Sequence, residues 1–181
     1  MSTPSTSQVL DNYTLSQLDK IYSGHVNLKR RVINELKEFA NYGAYIHVEY
    51  QECVINYRKS SIFITIVPNN EDNVYQFSIQ LDYPFKPPNK FLINYKDYKQ
   101  ILKIESPKTL SELKLYTKYK CLCCNTLFCS DKWSPLLRLQ NYIDEFNYIK
   151  KCRRDIINRL LSEKIVNKYL ISDINLNEWL F

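Results

Sequence analysis

Glycine is nearly absent: only Gly24 and Gly43 occur in 181 residues. A nucleotide cradle of the P-loop or Rossmann kind needs several glycines in one short loop, so that backbone N–H groups can close on a phosphate. Direct nucleotide binding of that kind is excluded. Histidine is almost as scarce, with His25 and His47 alone. Neither lies near a cysteine in sequence, so no local thiolate–imidazolium pair is visible and a cysteine-protease reading is weak. Both are assigned ordinary structural roles. No apolar run is long enough to cross a membrane, and the N-terminal residues carry no apolar signal core. No internal repeat and no second domain stands out.

What is present describes a globular chain. Hydrophobic residues make up 45% and aromatics 14%. At this length about 70% of the unfolded surface can be buried, enough for a core without covalent staples. Six cysteines without a secretory signal imply a reducing compartment, cytoplasmic or nuclear, and free thiols or metal ligation. The net charge is +6, but the lysines are scattered and no basic stripe carries interleaved aromatics. The charge reads as a solvated surface, with no nucleic acid and no membrane among the expected partners.

The chain opens with a Ser/Thr/Pro-rich tail over residues 1–10 and a short helix carrying Leu15, Leu18 and Tyr22. A longer helix follows from Asn27 to Asn41, with Leu28, Val32, Leu36 and Phe39 at helical spacing and Gly43 at its exit. Its other face carries Lys29, Arg30, Arg31 and Lys37. Four strand candidates come next: Ile46–Tyr50, Ile62–Val67, Tyr75–Leu81 and Phe91–Tyr95. Turn residues 68–73 join the second and third as an antiparallel hairpin. Between the third and fourth lies Tyr83-Pro84-Phe85-Lys86-Pro87-Pro88, whose prolines lack backbone donors and have a fixed φ. It reads as a rigid loop that presents Phe85. Residues 96–120 are polar and lysine-rich, with a short element over Leu110, Leu113 and Leu115. Ser134 is expected to cap a helix with Pro135 as its first residue, continuing through Leu139, Tyr142, Phe146 and Ile149. A second amphipathic segment covers Ile156 to Ile165, and the chain ends in Trp179-Leu180-Phe181. Helix, antiparallel meander, then helices give an α+β layout.

Four of the six cysteines fall between Cys121 and Cys129, just before Trp133-Ser134-Pro135. Thiols at this density are either nucleophiles or metal ligands. Cys121 and Cys124 have Cys-x-x-Cys spacing, and Cys123, Cys129 and Cys152 offer further ligands, but the second pair of a zinc ribbon is missing.

The order of these features resembles the ubiquitin-conjugating enzyme family over residues 26–150. A basic helix precedes a meander with Pro68-Asn69 at a turn, then Tyr-Pro-Phe-Lys-Pro-Pro, the cysteines and Trp-Ser-Pro. The resemblance implies a four-stranded antiparallel sheet flanked by an N-terminal helix and C-terminal helices. It divides the chain into a tail with a short helix (1–22), a conjugating core (23–152) and a C-terminal helical extension packed on that core (153–181). It implies that ubiquitin, or a ubiquitin-like modifier, is taken from the activating enzyme as a cysteine thioester and passed to a substrate lysine, with or without a ubiquitin ligase. Lys29, Arg30, Arg31 and Lys37 would meet the activating enzyme, and Phe85, Ser134 and Pro135 a ligase. No resident cofactor or metal is implied, since the upstream enzyme uses the ATP. The family's pattern after the nucleophile favours Cys124, with Cys121 as runner-up and Cys123 third.

The sequence departs from the family in lacking the His-Pro-Asn motif before the nucleophile. Tyr98-Lys99-Gln100 falls near its place, and Gln100, Asn94 and Asn125 are the candidates to replace its oxyanion donor. The alternative reading is a catalytically inactive ubiquitin-conjugating-like binding module, with a cysteine zinc site as an added variant. Residues 96–120 and 155–181 would be decoration on the core.

Overall fold

The computed structural model describes residues 10–51, 60–69, 71–102, 107–117, 126–127 and 132–167. The architecture is α+β. Helices α1 (Asn12–Ile21) and α2 (Val26–Asn41) precede strands β1 (Tyr45–Gln51), β2 (Ser61–Val67), β3 (Tyr75–Gln80), β4 (Lys90–Ile93) and β5 (Lys96–Asp97). Helices α3 (Tyr98–Ile101), α4 (Pro107–Thr117) and α5 (Leu139–Asn167) follow. The sheet is an antiparallel meander in sequence order, β1-β2-β3-β4-β5.

Period-two alternation sets the inner face. Val48 lies opposite Ile64, Ile64 opposite Phe77, and Phe77 opposite Phe91. Ile46, Ile66, Tyr75 and Ile93 form the adjacent row, and all eight side chains are buried. A one-residue slip would turn each row to solvent, so burial enforces the register. Helix α5 packs on this face. The Tyr142 ring meets Phe77 and Phe91 edge-on, at centroid distances of 6.1 and 5.7 Å, and Phe146 meets Tyr75 at 6.2 Å. Leu18 and Ile21 of α1 and Val32, Leu36 and Phe39 of α2 complete the same core.

Helix α1 is capped by Asp11, whose carboxylate accepts the Thr14 N–H at 2.7 Å. Helix α2 leaves through Gly43 at φ +80°, where a Cβ would meet the Asn69 amide nitrogen at 2.9 Å. The positive φ favours glycine there, and the exposed Asn69 side chain would have to shift to admit a Cβ.

Three expectations change. The sheet has a fifth strand, because the segment from Phe91 to Tyr95 does not stay extended. Asn94 and Tyr95 have φ of 50° and 66°, a two-residue hairpin turn that sends Lys96-Asp97 back along β4. Ser134-Pro135 does not begin a helix. Ser134 forms a turn, its carbonyl accepting the Leu137 N–H and its Oγ the Leu136 N–H, and α5 begins at Leu139. The two amphipathic segments after Trp133 are one continuous helix, which passes through positions 152 and 153 without a break. Its C-terminal half packs with α4 in a satellite core of Leu113, Cys152 and Ile156, flanked by Leu110, Ile157 and Leu160. The loose tail at residues 1–9, the second half of the 155–181 segment and Trp179-Leu180-Phe181 lie outside the described residues.

The stacked pair Phe77–Phe91, with ring centroids 4.5 Å apart, sits at the centre of this packing. Phe77→Ala is expected to cost about 3–5 kcal/mol, a large share of the stability of a domain this size. Urea unfolding checks it: the midpoint falls sharply, and a shift equivalent to under about 1 kcal/mol would place Phe77 outside the central packing.

Candidate functional site

The site is built from two loops and the first turn of α5. The first loop, 81–89, is pinned to β3 by Tyr83 N–H to Gln80 O at 3.0 Å and Asn89 N–H to Ser78 O at 2.7 Å. Inside it the Phe85 N–H reaches Asp82 O at 2.8 Å, and the Tyr83–Pro84 peptide bond is cis. Tyr83 and Pro88 point inward, whereas Phe85 is 68% exposed. The proline string therefore presents its phenyl ring to solvent, since its backbone has no ladder to join.

The second loop, 132–138, is tied to the first by Trp133. Its indole N–H donates to the Pro84 carbonyl at 2.9 Å. The indole also lies between Tyr83 and Tyr142, 5.9 Å from each ring. Pro135 and Leu136, the latter 85% exposed, thus stand on the loop adjoining Phe85. Ser134 is half-buried and holds the turn with its own side chain. Leu136 escaped the sequence reading, because a leucine just after Ser-Pro in an expected helix looks like core.

Beneath both loops lies Glu35, only 3% exposed. One carboxylate oxygen accepts Arg31 Nε–H at 2.5 Å and the other accepts the Leu139 N–H at 2.9 Å. The Tyr83 hydroxyl contacts both oxygens, at 3.0 and 2.8 Å. Burial, reinforced by the Glu35 charge, pushes the Tyr83 hydroxyl pKa up, so it stays a donor. Arg31 extends the network to the second loop through Nη2–H bonds to the carbonyls of Leu137 at 2.9 Å and Pro135 at 3.4 Å. The α5 N-terminus is completed by Asn141, whose side chain accepts the Arg138 N–H at 2.7 Å. Glu35 was not singled out in the sequence; its signal, an acid on the apolar side of α2, is faint.

The four basic residues of α2 divide. Arg30 and Lys37 are exposed. Lys29 is half-buried and paired with Asp19 of α1, and Arg31 is turned inward to Glu35 and the second loop. The basic face open to a partner is therefore Arg30 and Lys37, seven residues apart on one side of the helix. His47 lies on the outer sheet face, stacked on Tyr13 and 3.0 Å from a Glu49 oxygen. His25 is exposed at the start of α2.

Cys121, Cys123, Cys124, Cys129 and Asn125 lie outside the described residues. Downstream of Cys124, Leu127 is described and is held at both backbone groups. Its N–H donates to the Glu145 carboxylate at 3.1 Å, and its carbonyl accepts the Tyr142 hydroxyl at 3.3 Å. Tyr98 O–H also donates to Glu145, at 3.1 Å. Residues 98–101, near the place expected for a His-Pro-Asn motif, thus meet the stretch just past Cys124 through one carboxylate. Asn94 is committed elsewhere: its side chain accepts the Val74 N–H at 2.8 Å and donates to Asn73 at 3.1 Å. Gln100 is exposed on α3. Cys152 is buried beside Leu113 and Ile156, and burial pushes its thiol pKa up, which disfavours the thiolate a metal needs. Among the described residues no group of three or more His, Cys, Asp and Glu could hold a metal ion, and no helix is long and apolar enough to cross a membrane.

No family model, curated protein or solved structure matches the chain.

Burial pushes the Glu145 carboxyl up to about 7 from 4.5, against the opposing hydrogen bonds from Leu127 and Tyr98. A raised carboxyl pKa means the folded state holds the proton longer than the unfolded one. Its contribution is most favourable below 4.5 and declines as pH rises through about 7. Melting temperatures of wild type and Glu145→Gln, measured from about pH 4.5 to 8, should not run parallel: the wild type falls relative to the variant as pH rises toward about 7 and levels off above it. Curves parallel across that range would remove Glu145 from the titration.

Proposed function

We propose that this chain is a ubiquitin-conjugating carrier with a ubiquitin-conjugating-like core. One observation carries the reading: the Tyr83–Pro88 loop and the Trp133-Ser134-Pro135 turn, distant in sequence, meet through the Trp133–Pro84 hydrogen bond and Glu35. Two motifs that the resemblance assigns to one docking surface then lie side by side, with Phe85, Pro135 and Leu136 outward. The antiparallel meander preceded by a helix with exposed Arg30 and Lys37 is compatible with it.

In this mechanism the activating enzyme, docked on Arg30 and Lys37, offers the modifier's C-terminus as a thioester. The Cys124 thiolate attacks that carbonyl and the donor thiolate leaves, so one thioester bond replaces another. A ligase docks on Phe85, Ser134, Pro135 and Leu136. A lysine amine of the substrate, or a ligase thiol, then attacks the Cys124 thioester and releases the thiolate. The carrier needs no nucleotide and no resident metal of its own for either exchange.

A second reading, a non-catalytic module of the same fold, is favoured by the oxyanion side of the site. Asn94, one of the three replacements for the missing motif, is spent on Asn73 and Val74. Loss of one oxyanion donor costs about 2.7–4 kcal/mol in other acyl transfers, enough to slow such a transfer about 100- to 1,000-fold.

A non-reducing gel after incubation with activating enzyme, ubiquitin and ATP tests both. A thiol-labile adduct that Cys124→Ala abolishes and Cys121→Ala and Cys123→Ala retain is the expected result. An adduct lost only in Cys121→Ala would keep the activity and move the nucleophile. No adduct with ubiquitin or any ubiquitin-like modifier would leave the non-catalytic module, and zinc content would then be measured. Given an adduct, Phe85→Ala should reduce ligase-stimulated discharge about tenfold or more, as expected for an exposed aromatic anchor.

A further inference from the structure

We infer that Glu35 is a positioning residue: its buried carboxylate sets the relative placement of the two loops, and so the shape of the surface formed by Phe85, Pro135 and Leu136. The inference deepens the proposed function and rests on it for the identity of the ligase that docks there. The placement itself stands on hydrogen-bond geometry alone.

Three donors from three separate stretches converge on one acid. Arg31 comes from α2, Tyr83 from the first loop and Leu139 from the start of α5. Two of them, Arg31 Nε–H and the Leu139 N–H, can only donate. They approach opposite oxygens, Oε1 and Oε2. A carboxylate offers an acceptor oxygen on both sides, and an amide does not. A glutamine of the same shape must turn its NH2 toward one of these donors, which leaves a buried N–H facing an N–H. The Tyr83 hydroxyl is different, because it can rotate and accept. The chemistry thus predicts an order of effects that side-chain volume does not: isosteric Glu35→Gln disrupts most, and Tyr83→Phe, which cuts only the bond to the first loop, disrupts less.

The loops carry their own reporter. The Trp133 indole N–H bonds to the Pro84 carbonyl across the junction that Glu35 underpins. Its exchange with solvent reads how often the loops part. In a Trp179→Phe background, so that Trp133 is the sole indole, hydrogen exchange at Nε1 is followed by NMR on the full chain. Glu35→Gln should speed that exchange about tenfold or more, Tyr83→Phe should speed it by a smaller factor, and Ile64 and Phe77 amides in the sheet should keep their protection. Unchanged indole exchange in Glu35→Gln overturns the inference. Faster exchange accompanied by equal loss at Ile64 and Phe77 also overturns it, since Glu35 would then support the fold at large and not the loop pair. For the docking consequence, discharge of preloaded ubiquitin thioester is measured with and without a purified ubiquitin ligase, per loaded molecule. Glu35→Gln should lose about tenfold or more of the ligase stimulation, and stimulation at the wild-type level would overturn the link from placement to docking. If the wild-type chain forms no thioester, the carrier reading fails, while the exchange experiment still decides the role of Glu35.

Discussion

A buried carboxylate under two loops is the constraint on which the candidate site depends. Stripping water from an ionised acid costs several kcal/mol, and only full hydrogen bonding returns it. Glu35 meets that condition with Arg31, Tyr83 and Leu139, and the Arg31 guanidinium carries the charge onward to the Leu137 and Pro135 carbonyls. Such a pair contributes little net stability compared with apolar residues of the same volume. Breaking it from one side is expensive, at about 3–5 kcal/mol. Its use here is geometric: it admits one arrangement of α2, the proline loop and the α5 N-terminus.

The loops would still drift without a rigid connection to the core, and aromatic rings supply it. Phe77 stacks on Phe91, both meet Tyr142 edge-on, and Tyr142 touches Trp133, which leans on Tyr83. Each such pair adds about 0.5–1.5 kcal/mol beyond the area it buries. The chain of rings runs from Phe77 and Phe91 in mid-sheet to Tyr83 in the first loop, two residues before Phe85. Tyr142 has a second duty, since its hydroxyl also holds the Leu127 carbonyl.

The described parts of the stretches expected as decoration, 96–120 and 155–181, meet one another. Helix α4 lies against the C-terminal half of α5 through Leu113, Cys152 and Ile156, with Arg159 and Glu112 paired beside them. Buried Arg153 donates to the Ile101 carbonyl at 2.8 Å, and burial lowers its pKa to about 10. With Tyr98 on Glu145, this fastens α3 to α5 at two points eight residues apart on one helix. The stretch that enters the cysteine segment and the stretch that leaves it are thereby both referred to α5.

Local chemistry made much of the fold legible in the sequence. Alternation at Ile62, Ile64 and Ile66 and at Tyr75, Phe77 and Ile79, the helical spacing from Leu28 to Phe39, and Gly43 at the helix exit are all properties of neighbours within a few residues. So was the outward Phe85, because prolines forbid a ladder whatever surrounds them. Interactions between residues far apart decided the rest. Ser134-Pro135 carries a good helix-start signal, yet α5 begins at Leu139, where Glu35, 104 residues earlier, accepts its N–H. Arg31 looked like part of a basic face and is instead an internal donor, because a carbonyl pair from residues 135 and 137 lies within its reach. Asn94 and Tyr95 looked like strand and are a turn, stabilised by Asn73 and Val74 across the sheet. Propensity acts over one turn of helix or one pair of strand residues, whereas a buried charge must find its partners wherever the folded chain brings them.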